Sequence, residues 1–193
     1  MSTEDEHAIA EAIRAAREKS RGYAGFFEWP TDRDLEEQGV AGYLAAALDA
    51  NGAPSFSEIA IRGRGNDPPD LEAINASGKR VAIEVTELVD GKSIQAFKAG
   101  RHYDWAEWDQ VKFIESITRL LKEKNARFPK LKGGPYDGGY VVLVFTDEPE
   151  LRRSKVESYL AGHKFQGLNS MHRAILLLSY DPSIGQCPYF ELI

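Results

Sequence analysis

The sequence predicts an α/β protein, a mixed sheet sandwiched between helices. Three observations lead there. Segments with apolar residues at spacings of three and four alternate with short apolar runs. Two of those runs, 138–145 and 173–179, are largely continuous, as strands buried on both faces are. Three others, 56–61, 71–74 and 81–88, follow one another with only turns between them.

Taken in order, 4–19 carries Ile9, Ile13 and Ala16 on an otherwise charged segment, the narrow apolar stripe of an amphipathic helix. Gly22, Gly25 and Pro30 break it, so 1–30 reads as a helical extension. Over 33–50 the Ala-rich composition with Leu35, Val40, Tyr43, Leu44, Ala47 and Leu48 predicts a second helix, ended by Asn51-Gly52. The three consecutive strands come next. The short turn over 75–79 makes the second and third of them an antiparallel hairpin. Trp108, Val111, Ile114, Ile117 and Leu121 repeat at helical spacing and predict a long helix over 108–124. A buried strand (138–145), a helix (148–161), a second buried strand (173–179) and a short terminal strand (189–193) complete the order ααβββαβαββ. No repeat or linker divides the 193 residues, so 1–193 is one domain, with 33–146 as its core and 147–193 completing the sheet.

A composition of 42% hydrophobic and 28% charged residues supplies a core and excludes whole-chain disorder. No apolar run approaches the ~20 residues that cross a bilayer, and no signal-peptide pattern appears, so the expectation is a cytoplasmic protein with no membrane partner. The single cysteine, Cys187, allows no disulfide within the chain and no Cys-rich zinc site. Walker-type and Rossmann-type glycine patterns are missing, as is Gly-x-Ser-x-Gly, which leaves ATP, NAD and serine-hydrolase chemistry without support. The formal net charge of −6 argues against a surface that grips nucleic acid everywhere. That charge is uneven: −8 over 1–78, +4 over 79–132 and −2 over 133–193. Much of the central excess is Lys122, Lys124, Arg127, Lys130 and Lys132, at the end of the long helix and just beyond it. They read equally as cations favoured at a helix C-terminus and as a phosphate-binding patch.

One constellation carries chemistry. Along 81–86, alternation puts Val81, Ile83 and Val85 on one face and Ala82, Glu84 and Thr86 on the other. Glu84 therefore lies mid-strand between Ile and Val, where a carboxylate is costly unless paired or bound to a cation. Asp70 opens the preceding strand after the turn Arg62-Gly63-Arg64-Gly65-Asn66-Asp67-Pro68-Pro69, and a twisted hairpin brings it beside Glu84. Two such oxygen donors, completed by water and a substrate phosphate, describe a Mg²⁺ or Mn²⁺ site.

At these residues the chain resembles the PD-(D/E)xK nuclease superfamily, whose restriction-endonuclease-like fold has the order α-β-β-β-α-β. Pro69-Asp70 matches the first half of the motif and Glu84-Val85-Thr86 the second, with Thr86 where the family has lysine. The resemblance covers 33–146 as an order of elements. It implies a nuclease hydrolysing phosphodiester bonds of nucleic acid, DNA more than RNA, in some branches as a homodimer. It further implies that Asp70, Glu84 and the main-chain carbonyl of Val85 hold the metal, and that Glu36 or Glu37 on the preceding helix supports the centre. Periodicity does not choose between those two. Three explanations of Thr86 stay open: a lysine recruited from elsewhere, with Lys98 and Lys112 as candidates; a threonine that positions water unaided; or a catalytically silent module that binds nucleic acid or a protein partner.

Other residues have a bland and a functional reading. Arg62 and Arg64 are solvated turn residues or phosphate contacts, and Gln110 is a helix-surface residue or a functional glutamine. The aromatics of 102–108 are core and helix entry, or a surface on which bases stack. His163 and His172 have no partner at metal-ligand spacing and are given no role.

Overall fold

The computed structural model describes Tyr23, 32–102 and 104–193. The helix expected over 4–19 lies outside the described residues. The elements are α1 (Arg33–Ala50), β1 (Phe56–Ile61), β2 (Leu71–Asn75), β3 (Arg80–Glu87), α2 (Gly91–Lys98), α3 (Gln110–Asn125), a 3₁₀ turn (Phe128–Lys130), β4 (Tyr140–Thr146), α4 (Arg153–Leu160), β5 (Arg173–Leu178) and β6 (Tyr189–Glu191). Six strands form one mixed sheet in the order β1-β2-β3-β4-β5-β6. β1, β2 and β3 are antiparallel neighbours, β3, β4 and β5 are parallel, and β6 closes the far edge antiparallel. The parallel pairs need long crossovers: α2 and α3 join β3 to β4, and α4 joins β4 to β5.

Each face of the sheet buries its own core. Ala82, Val142, Val144, Ala174 and Leu176 face Phe113, Ile117 and Leu121 of α3 and Val156 of α4. Val81, Ile83, Val85, Leu143, Phe145 and Ile175 face Val40, Leu44 and Leu48 of α1. β4 is buried at every residue, which is why its sequence is an unbroken apolar run. The 75–79 hairpin turn is held by Asn75, whose Oδ1 accepts from the amides of Ser77 and Lys79, with Gly78 at φ +72°.

Two segments depart from expectation. α2 was not expected; Asp90 caps it, accepting from Ser93 N–H at 2.9 Å, and at eight residues it gives little periodic signal. The helix expected over 148–161 occupies only Arg153–Leu160. Ahead of it, buried Glu148 is engaged as a brace, accepting from Tyr23 O–H at 2.9 Å and from Asp90 N–H at 2.7 Å. Among the described residues, no helix is long and apolar enough to cross a membrane.

Candidate functional site

The register of the β2–β3 hairpin builds the site. Leu71 pairs with Ile83, so Asp70, one residue earlier, arrives level with Glu84. There β2 begins, and β3 runs on beside β4 alone, Val85 to Glu87 matching Leu143 to Phe145. Asp70 stops this fork: its Oδ2 accepts the Val85 amide at 2.8 Å. Glu84, fully buried, projects toward α3. In the last turn of α3, Lys124 lies on the helix face of Phe113, Ile117 and Leu121 and is itself only 7% exposed. Its Nζ contacts Glu84 Oε2 and lies 3.3 Å from Asp70 Oδ2, so one ammonium joins both carboxylates. Tyr140 O–H donates to the Lys124 carbonyl at 2.9 Å and holds that turn against β4.

Two arginines and two further acids surround the trio. Arg127 reaches Glu84 Oε2 at 3.0 Å with one terminal nitrogen and Asp67 Oδ1 at 2.6 Å with the other. From α1, Arg33 pairs with Glu37 at 2.5 Å and approaches Asp70 Oδ1 at 3.6 Å. Glu37, Asp67, Asp70 and Glu84 against Arg33, Lys124 and Arg127 leave the cluster one formal negative charge. Burial pushes the Glu84 carboxyl above the usual range, and Asp70 adds to the rise, while Lys124 and Arg127 oppose it. Burial and then Asp70 push Glu37 up to about 7, against the pull of Arg33. Glu84 Oε1 is buried with no hydrogen-bond partner among the described residues, an orphan acceptor of the kind a cation satisfies. A small cleft lined by Arg33, Glu37, Arg64, Asp67 and Asp70 opens over the cluster.

Asp70 and Glu84 thus come together, and the α1 acid at Asp70 is Glu37 rather than Glu36. Val85 enters through its amide. Thr86 follows Glu84 on the same face, half-buried, opposite Val144. The recruited lysine is a correction: neither Lys98 nor Lys112 forms an ion pair with the carboxylates. Lys98 is exposed at the end of α2. Lys112 is 3.1 Å from Asp90 and lies over the Trp108 ring. The joining lysine is Lys124, grouped in the sequence with a surface patch to which it does not belong. A signal for it existed, since Lys124 continues the stripe Phe113, Ile117, Leu120, Leu121, and a lysine on a buried helix face needs a carboxylate.

Arg62 is also corrected. It is bound to Glu72, donates to the Lys132 carbonyl at 3.2 Å, and with Arg80 and Tyr136 holds Glu72 of β2, so it is not a phosphate contact. Arg64, Lys122 and Lys130 are exposed. Gln110 donates to the Tyr159 carbonyl at 3.1 Å and ties α3 to α4. His172 accepts from the Tyr140 amide, Cys187 is buried, and Trp108 is core. Among the described residues, no three His, Cys, Asp or Glu side chains converge as a ready-made metal cage. No family model, curated protein or solved structure matches the chain.

Proposed function

We propose that the chain is a divalent-metal-dependent nuclease with a restriction-endonuclease-like core and a PD-(D/E)xK-type site in which Lys124, from α3, stands in for the motif lysine that Thr86 replaces. The observation that carries this reading is the convergence of Asp70 and Glu84 on one buried ammonium at the fork where β2 begins. The donor set suits a hard cation, because both ligands are carboxylates and Glu84 Oε1 is an unpartnered buried acceptor. Asp70, Glu84 and the Val85 carbonyl would hold Mg²⁺ or Mn²⁺, with water and substrate oxygens making up the rest; when bound, the ion acidifies water and offsets charge on the phosphate.

The chain's own groups supply the remainder. Lys124 sets its side-chain nitrogen against the two carboxylates, and its third N–H is available to orient a water. Arg127, about one-third exposed, bridges the buried cluster and the rim, where Arg33 and Arg64 face solvent and suit phosphate oxygens. Lys122 and Lys130 are exposed at the end of α3 and in the 3₁₀ turn beyond it, and suit a nucleic-acid backbone. A second reading, a catalytically silent module, is favoured by one observation: Lys124 and Arg127 already neutralise Glu84 without any ion.

Calorimetric titration with Mn²⁺ separates the two. The expected result is saturable binding by the native protein, weakened at least about tenfold in Glu84→Gln and unchanged in Lys112→Met. Glutamine is chosen because it retains an acceptor for Lys124. Equal affinity in the native protein and Glu84→Gln would overturn the site, and no binding by the native protein would leave the silent module standing.

A further inference from the structure

Glu84 is held by two cations of unequal freedom. Lys124 is buried, grips Asp70 as well as Glu84, and sits in a helical turn pinned by Tyr140. Arg127 lies just beyond α3, and its side chain is 31% exposed. Its main chain is fixed: the amide donates to the Lys124 carbonyl at 2.9 Å, and the carbonyl accepts from the Lys130 amide at 2.8 Å. The guanidinium thus stands at the end of a rotatable stem rooted in a bonded turn, and it spans two surroundings. One terminal nitrogen is 3.0 Å from Oε2 of fully buried Glu84. The other is 2.6 Å from Oδ1 of Asp67, whose side chain is 34% exposed and lines the cleft over the cluster.

A cation in that position opposes a divalent ion on the same carboxylate. The repulsion between the two is screened little in a buried site. Lys124 is not the one to yield, because its departure would strand two buried carboxylates at once. Arg127 can yield, because Asp67 holds its other nitrogen at the cleft and a phosphate there offers the paired oxygens that a guanidinium fits as well as it fits a carboxylate. On the nuclease reading of the site, on which this rests, we propose that Arg127 is a latch on Glu84: it competes with the divalent ion for the carboxylate and lets go when a substrate phosphate draws its guanidinium away. Ion and phosphate then favour each other's binding, a coupling that is reciprocal by thermodynamic linkage.

The test is calorimetric titration of Mn²⁺ into the full chain, native and Arg127→Met, with and without dimethyl phosphate as a phosphodiester probe. Without the probe, Arg127→Met is expected to bind Mn²⁺ at least about fivefold more tightly than the native protein. Loss of an arginine that only braced the fold would loosen the site and weaken the ion instead. Dimethyl phosphate should tighten Mn²⁺ at least about fivefold in the native protein and less than about twofold in Arg127→Met. Arg127→Gln, which keeps a polar group against Asp67, is the second variant and should bind Mn²⁺ as tightly as Arg127→Met. Arg119→Met removes an equal charge from an exposed position on α3, where Arg119 pairs with Glu123 at 3.3 Å, and should leave Mn²⁺ affinity unchanged. Suppose the native protein binds Mn²⁺ and Glu84→Gln weakens it: then Arg127 variants that bind no more tightly than the native protein, or an equal gain in Arg119→Met, would overturn the latch and leave the metal site standing. Absence of Mn²⁺ binding from the native protein and both Arg127 variants, with or without the probe, would overturn the metal site and the latch together. Binding that emerges in the Arg127 variants alone, or in the native protein only with dimethyl phosphate, would support the latch.

Discussion

Glu37 shows how the cluster couples to folding. Its carboxyl is buried beside Asp70 and pushed up to about 7, whereas an unfolded chain releases that proton near 4.3. Between those values the native state holds a proton that the unfolded state has lost, so stability falls as pH rises through this window and levels off above it. Without divalent cations, the native protein is expected to lose on the order of 3 kcal/mol from pH 5 to pH 8 relative to Glu37→Gln. Urea unfolding of both proteins across that range measures it, and parallel pH profiles would contradict it. At this scale the sequence was informative about acids and not about cations. A carboxylate inside an apolar strand is conspicuous, so Asp70 and Glu84 stood out. Lys124 did not, because lysine near a helix C-terminus has an ordinary explanation in the helix dipole, and only its place on the stripe distinguishes it.

Among the elements, α3 links core and site: its apolar stripe fixes its rotation over the sheet, and that rotation aims Lys124 at Glu84. The C-terminal turn is further pinned by Tyr140, the first residue of β4, through the Lys124 carbonyl. Tyr140→Phe removes that buried hydrogen bond with little change of shape, and is expected to cost about 1–2 kcal/mol in urea unfolding. A midpoint equal to that of the native protein would show that the turn is held by packing alone. The strands and long helices were legible because each keeps its periodicity over many residues, and the Asp70–Glu84 juxtaposition followed from the hairpin. α2 was not, being one short amphipathic stretch, and 148–152 were misread as helix because nothing local announces that Glu148 must turn inward to meet Tyr23 and Asp90. Arg62 was misassigned for a similar reason: its partner Glu72 lies on the next strand, and Lys132, whose carbonyl it also meets, is seventy residues away.

For the whole molecule, the arrangement of charge bears on function more than its sum. A net charge of −6 coexists with the exposed guanidinium groups of Arg33 and Arg64 at the cleft over the buried carboxylates, an arrangement that under the proposed function would draw phosphate to one place. The sheet serves this by starting β2 where β3 continues, so two strands and three helical segments, α1, α3 and the turn that follows it, meet at one point. The central claim, that Lys124 works with Asp70 and Glu84 on phosphodiester bonds, is tested most directly by cleavage of supercoiled plasmid, linear duplex, single-stranded DNA and RNA with Mg²⁺ or Mn²⁺. The native protein should be run beside Glu84→Gln, Lys124→Met, Lys98→Met and Lys112→Met. The account predicts metal-dependent cutting of at least one substrate, lowered about 10²-fold or more in Glu84→Gln and in Lys124→Met and retained in the other two variants. Cutting that survives in Lys124→Met, or no metal-dependent cutting by the native protein on any of the four substrates, would contradict it.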